Sequence, residues 1–340
     1  MRWLSATALE RLKEAAEWPD LAGSRYQAIE QIGQGGMATV FRVRDTVLNR
    51  ICAMKVLRLP DDASGIGPRL RLESRILADL EHPGIVPVHD AGELPDGRPY
   101  YVMKFVRGRR LDDVVHDGVD LAERLRIFER VCEAVAFAHS RGVIHRDLKP
   151  ENVMTGEYGE VLVLDWGVAR VLVDRDERDA QYGSRDRVDV DGGSVGPVTL
   201  HGTVLGTPGY MAPEQASGEI GEIGPAADVY ALGGILWYLL SGEHPIAEPA
   251  AYAPPLPGSV PARLIAISCK ARAIEPADRY ESVELLSADI RRFLEGSAVR
   301  AYRETFWDRL GRVAHRHRVA ILLVLAYLLL RAALIFFARL

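Results

Sequence analysis

The sequence predicts an α+β chain of two lobes, the first β-rich and the second mainly helical, with an apolar helix near its C-terminal end. Three observations carry that reading. Alternating runs at Tyr26–Ile32 and Thr39–Val43 and short apolar runs at Ala53–Leu57 and Tyr101–Val106 crowd the early chain, and both patterns mark strands. Farther on, Leu125–His139 and Val229–Leu240 have helical spacing and length. Residues 319–338 are then apolar at every position except Arg331. A chain of 340 residues is long for one core and natural for two lobes plus an appendage.

With 48% apolar and 26% charged residues, the composition is globular and excludes wholesale disorder. The net charge of −5 hides an asymmetry, because residues 291–340 carry ten arginines against Glu295, Glu304 and Asp308. Those cations sit beside an apolar tail and are not interleaved with stacking aromatics, so no nucleic-acid partner is expected. Cys52, Cys132 and Cys269 lie far apart in apolar surroundings. They read as reduced core thiols, not as a disulfide framework or a metal site. Leu4, Ala8, Leu9, Leu12, Ala15 and Ala16 predict an amphipathic helix over 4–18, ended by Pro19. The expected units are an N-terminal helix and linker (1–25), a first lobe (26–106), a second lobe (107–297), a basic linker (298–318) and the apolar helix (319–338).

Taken in order, Ile32-Gly33-Gln34-Gly35-Gly36-Met37-Ala38-Thr39-Val40 lies between two alternating runs and is a strand–loop–strand. A dinucleotide site or P-loop would need strand–loop–helix instead. Glycines let backbone approach a phosphate and aim amides at it, although an ordinary glycine-rich hairpin looks the same. Lys55 then stands inside an apolar strand, where an unpaired ammonium is costly, so it should have an anionic partner. Leu72, Ile76, Leu77 and Leu80 share one face of a helix predicted over 70–80, with Glu73 inside it. His82-Pro83-Gly84 ends that helix, and His82 reads as bonded to nearby backbone.

The octet His145-Arg146-Asp147-Leu148-Lys149-Pro150-Glu151-Asn152 follows a predicted helix and precedes the run Val161–Leu164. Asp147 can accept a proton, Lys149 can neutralise a phosphoryl oxygen, and Asn152 can offer a carbonyl oxygen to a hard cation. A solvated charged loop is the bland alternative. Such loops rarely put this set straight before an apolar strand ending in Asp165.

Together these motifs resemble those of the eukaryotic-type protein kinases, in their bacterial serine/threonine branch, over residues 26–297. The octet looks like the catalytic loop, and Asp165-Trp166-Gly167 like Asp-Phe-Gly with Trp for Phe. Gly206–Glu214 resembles the end of the activation segment, and Ala38 stands where a third loop glycine is usual. The resemblance implies the bilobal protein kinase fold and ATP-dependent phosphorylation of Ser/Thr hydroxyls on protein substrates. It makes Asp147 and Lys149 catalytic, and puts Mg²⁺, with Mn²⁺ as an alternative, on Asn152 and Asp165. Gly33 and Gly35 would cover the phosphates, Lys55 paired with Glu73 would align them, and Ile32, Val40 and Ala53 would line the pocket. Met103 would back the adenine, whose edge the backbones of Lys104 and Val106 would hold. Trp166 would pack on His145 and Leu77, Glu214 would pair with Arg279, and Asp228 would support the catalytic loop. Thr203, with Thr199 second, is expected to be an activating autophosphorylation site that pairs with Arg146, and a homodimer would serve trans-autophosphorylation. Thr207 is expected to reach Asp147 and Lys149. The rival reading is an ATP-binding pseudokinase scaffold, although no catalytic position is missing. A small-molecule phosphotransferase would not need the Gly206–Glu214 segment.

Two stretches depart from the pattern. Residues 170–201 enlarge the activation segment, and 245–261 are rich in Pro and Ala where the family has a longer helical segment that helps dock substrates. The tail of roughly 20 residues would span about 30 Å as a helix, enough to cross a bilayer. Arg331 costs about 2.5–3.5 kcal/mol on insertion scales, which the other positions outweigh. Basic residues before the span orient the lobes to the cytoplasmic side of the plasma (inner) membrane, single-pass. A helix packed on the lobes is the alternative.

Overall fold

The structure is a computed structural model that describes residues 18–35, 38–57, 77–166, 170–171, 209–216, 224–245, 260–304, 322–324, 326–329 and 331. In the first lobe, β1 (Tyr26–Gln34), β2 (Ala38–Asp45), β3 (Arg50–Leu57), β4 (Val88–Glu93) and β5 (Pro99–Lys104) form one antiparallel sheet in the order β1-β2-β3-β5-β4. The strand alternation divides its faces. Phe41, Val43, Cys52, Met54 and Val56 fill one apolar cluster with Tyr26 and Val102. Ala38, Ala53, Leu57, Tyr101 and Met103 face the main core. The outer strands β1 and β4 curl toward each other: the Tyr26 hydroxyl donates to Asp90 at 2.8 Å, and Arg25 reaches the same carboxylate at 3.1 Å.

The second lobe contains β6 (Gly108–Arg110), α1 (Leu111–His116), α2 (Leu121–Ser140), β7 (Val143–Ile144), β8 (Val153–Gly156), β9 (Val161–Val163) and β10 (Arg170–Val171). It continues with α3 (Pro213–Ala216), α4 (Pro225–Ser241), α5 (Ala262–Ala271) and α6 (Val283–Leu294). Helix α2 starts at Asp120, whose side chain accepts the Glu123 N–H at 2.9 Å, the usual N-cap device. Helix α4 is buried from Ala227 to Leu240, the pattern of a helix that is apolar all round and serves as the lobe's axis. Gly233 lets α5 come against it, since a Cβ there would lie 2.7 Å from that of Ala271. Gly242 ends α4 in the left-handed conformation at φ 78°.

β9 joins the lobes. Val163 donates to the Gly84 carbonyl at 2.8 Å and accepts from Val86 at 3.3 Å, which brings the strand leading to Asp165 to the junction. As expected, His82 serves nearby backbone, its Nδ1 accepting the Gly84 N–H at 3.0 Å.

Beyond α6, Val299 is buried in the main core, and the N–H groups of Arg300 and Ala301 donate to buried Asp289 at 2.9 and 3.0 Å. The boundary expected at 297/298 therefore falls inside packed structure, because a buried carboxylate holds the backbone that follows it. Of the helices expected over 4–18 and 70–80, only Trp18 and residues 77–80 lie within the described residues. Among the described residues no helix is long and apolar enough to cross a membrane. The described tail positions are helical and exposed, Leu322 by 64% and Leu329 by 71%.

Candidate active site

The loop from His145 to Lys149 owes its shape to one carboxylate outside it. Asp228, in the first turn of α4 and fully buried, accepts the backbone N–H of His145 at 2.8 Å and of Arg146 at 2.8 Å. His139 Nε2 lies 2.7 Å from the same group. Burial alone would raise the Asp228 pKa, but the bond to His139 and its charge, with the Arg146 N–H, outweigh it and hold the carboxyl below its ordinary value. The helix begins at Pro225 after Gly224, so Asp228 serves the loop and not its own helix end.

His145 is fixed from two sides. Its Nε2–H donates to the Leu164 carbonyl at 2.9 Å, and its Nδ1 accepts the Asp147 N–H at 3.3 Å. One partner is an acceptor and the other a donor, which selects the neutral Nε2–H tautomer. The Trp166 ring, fully buried, tilts against it at 4.6 Å between centroids, and the indole N–H donates to Val163 at 3.3 Å. Leu77 belongs to the same core. Arg146 (φ 70°) and Asp165 (φ 55°) both take the left-handed conformation, which side chains other than glycine adopt at a cost when their surroundings impose it.

On this frame, the Asp147 carboxylate lies 3.0 Å from Lys149 Nζ and 3.3 Å from Asn152 Nδ2. Asn152 also donates to the Asp147 carbonyl at 2.8 Å, which commits its NH₂ inward and leaves its carbonyl oxygen as the atom to offer a ligand. The strand register sets Lys55 opposite Val40 and Tyr101, and its ammonium is 3.2 Å from Asp165. Burial raises the Asp165 pKa, but the charge and hydrogen bond of Lys55, helped by the charge of Lys149, pull it below the ordinary value.

Ala53 pairs with Met103 across β3 and β5, both buried on the core face, and Val106 is buried just beyond. Val40 is half-buried and Ile32 is exposed on β1. The Lys104 N–H donates to Pro87 at 3.1 Å, and its side chain stands 3.8 Å from Glu160. A Cβ on Gly33 would meet only Val40 at 3.6 Å, and one on Gly35 only the Ala38 carbonyl at 3.5 Å. Those are ordinary contacts, so the protein's own packing does not require glycine at either position. Glu73, Gly167, Thr199, Thr203 and Thr207 lie outside the described residues.

Glu214 and Arg279 form the expected buried pair, two parallel bonds of 2.6 and 2.8 Å. Arg279 also donates to the carbonyls of Ala273 (2.8 Å), Ala226 (2.9 Å) and Ile274 (2.9 Å), so all five of its N–H groups are used. Sequence reasoning missed the neighbouring Gln215. Its Nε2 donates to the Arg146 carbonyl at 3.0 Å and its Oε1 accepts the Ala212 N–H at 3.2 Å. Only its place directly after Glu214 could have drawn notice.

The protein kinase domain model matches residues 26–254. The serine/threonine-protein kinase PknD of Chlamydia caviae is 36% identical over 304 residues, covering 80% of this chain and 31% of that protein. PknB of Mycolicibacterium smegmatis, also a serine/threonine-protein kinase, is 38% identical over 300 residues, covering 82% of this chain and 44% of its own length. The chain thus spans about a third to under half the length of these relatives. The crystal structure of the M. tuberculosis PknI kinase domain superposes with a TM-score of 0.59 at 26% identity, over 80% of this chain and 96% of that one. The chain belongs to the protein kinase family, in its bacterial serine/threonine branch.

Proposed function

We propose that this chain transfers the γ-phosphoryl group of ATP to Ser/Thr hydroxyls of protein substrates. The observation that carries the reading is the convergence of Asp147, Lys149, Asn152, Asp165 and Lys55 on a loop whose backbone is fixed by Asp228. The substrate oxygen attacks the γ-phosphorus, ADP leaves, and the hydroxyl proton passes to Asp147. Lys149, beside that carboxylate, offsets charge on the transferring group, and Lys55 aligns the phosphates with Glu73 as its further partner. Room at Gly33 and Gly35 for a ligand supports nucleotide binding under that loop, with Ala53, Met103 and the backbones of Lys104 and Val106 about the adenine.

Among the described residues no group of three His, Cys, Asp or Glu could hold a metal alone. The donor set is a carboxamide, Asn152, and a carboxylate, Asp165, which suits a hard cation that takes its remaining oxygens from phosphate and water. When bound, Mg²⁺ or Mn²⁺ supplies neutralisation of the phosphate charge. Radiolabelled transfer to a generic basic protein is the test. Asp147→Asn should abolish transfer and leave nucleotide affinity nearly intact, whereas Asp165→Asn should also weaken Mg²⁺-dependent nucleotide binding. Wild-type turnover in both variants would refute the assignment.

Residues 319–338 are proposed to anchor the chain in a bilayer with the lobes on the cytoplasmic side, and the exposed apolar residues 322–324 and 326–329 support this. Thr203 is proposed as an autophosphorylation site acting in trans within a homodimer. An unmodified Thr203 after self-reaction, read by mass spectrometry, would remove that proposal.

A further inference from the structure

The peptide joining Arg146 to Asp147 is held at both polar ends. Its N–H, on Asp147, donates to His145 Nδ1 at 3.3 Å, and its carbonyl, on Arg146, accepts Nε2–H of Gln215 at 3.0 Å. One peptide earlier, the Arg146 N–H is taken by Asp228 at 2.8 Å. Arg146 therefore sits at φ 70° with its flanking polar groups claimed by three different side chains. Two of these, Asp228 and His145, belong to the interior of the lobe. Gln215 does not: it lies in α3, one residue after Glu214, whose carboxylate Arg279 grips at 2.6 and 2.8 Å.

The side-chain amide of Gln215 can lie only one way round. The Ala212 N–H, 3.2 Å away, needs its oxygen, and the Arg146 carbonyl needs its NH₂. Its two ends consequently do separable work. Oε1 organises the start of α3, while Nε2 reaches across to the catalytic loop.

We propose that Gln215 is a positioning residue for phosphoryl transfer, pinning the peptide that precedes Asp147 to the end of the activation segment. This inference rests on the reading of Asp147 as the proton acceptor. Gln215 touches no reacting group and acts through the Arg146 carbonyl. When that carbonyl is released, the left-handed turn at Arg146 loses one of its constraints and the aim of the Asp147 carboxylate changes. Small misplacements of this kind cost turnover more than they cost binding.

Gln215→Glu isolates the contact. It keeps an acceptor for Ala212 but turns a second acceptor toward the Arg146 carbonyl, and protonation of the new carboxyl restores a donor there. Expected at neutral pH is a kcat about 10- to 100-fold lower, with ATP KM and MgATP affinity within about twofold of wild type. The ratio of variant to wild-type kcat should rise as the pH falls through the carboxyl's titration. Gln215→Leu should lose kcat without that rise. Gln215→Asn, short by one methylene and gentle to the fold, should also lose kcat while binding MgATP normally.

A Gln215→Glu or Gln215→Asn protein with wild-type kcat would overturn the proposal. So would a Gln215→Glu loss that is independent of pH and equal to that of Gln215→Leu. Wild-type turnover in Asp147→Asn would instead remove the reading on which the proposal rests.

Discussion

Replacing Asp228 with alanine should destabilise the second lobe and disable the loop together. The carboxylate is fully buried and accepts two backbone N–H groups at 2.8 Å, with His139 at 2.7 Å. Alanine leaves those donors without their acceptor in a place water does not reach. Each stranded buried group costs about 1–3 kcal/mol, and breaking a buried charged pair costs about 3–5 kcal/mol. The groups are neighbours, so the costs do not simply add, and a total of about 3–5 kcal/mol is expected. For a domain of this size that lowers the melting temperature by about 6–20 °C. Asp228→Asn keeps one acceptor oxygen and should fall between alanine and wild type. Calorimetry gives the melting temperature, and nucleotide-saturated turnover gives the second readout, which should fall even below the melting transition because the His145 and Arg146 N–H groups have lost their acceptor. An Asp228→Ala protein that melts within about 2 °C of wild type, a shift smaller than 1 kcal/mol would cause, and turns over normally would refute this reasoning.

Arg279→Leu should cost about 3–5 kcal/mol, because it strands the Glu214 carboxylate and three carbonyls; thermal unfolding in parallel with Glu214→Gln, which should cost less, checks it. Acid should destabilise the fold below about pH 4. In Glu214, Asp228 and Asp289, burial raises the pKa but hydrogen bonds and nearby cations outweigh it, so each titrates below its ordinary value. A depressed folded-state pKa contributes stability that is fully present above the unfolded value and is lost as the pH falls through the folded one. Melting temperatures should thus stay level near neutrality and decline on the acid side, less steeply in Asp289→Asn. Deleting residues 319–340 should release the protein from membranes and leave a soluble, active kinase. Full-length protein that washes off in carbonate would favour a packed tail instead.

The parts legible in the sequence are those whose chemistry is local. The octet from His145 to Asn152 and the lysine within β3 could be named because each motif carries its residue types at short spacing, the alternation of β1 and β2 marked the first strands of the sheet, and the Glu214–Arg279 pair, 65 residues apart, could be named only through the family resemblance. What stayed hidden depends on chain segments meeting in space. Nothing near Asp289 announces that it binds backbone eleven and twelve residues later, and composition alone suggested a linker there. Tyr26 gave no sign that it would bridge to Asp90 and curl the sheet. A glutamine after a family motif likewise says nothing until the Arg146 carbonyl arrives beside it.

The hold of Asp289 on Arg300 and Ala301 also sets a leash length. Counted from 298, the separation from the apolar run would be longer by four residues. With the backbone clasped through Ala301, residues 302–318 separate the clasp from the apolar run that starts at Val319. Those seventeen residues can span no more than about 60 Å in any conformation. For a tail seated in a bilayer, the substrates within range are those that come close to that membrane. Cutting the clasp, as Asp289→Ala would, raises that upper limit by only a few residues' length.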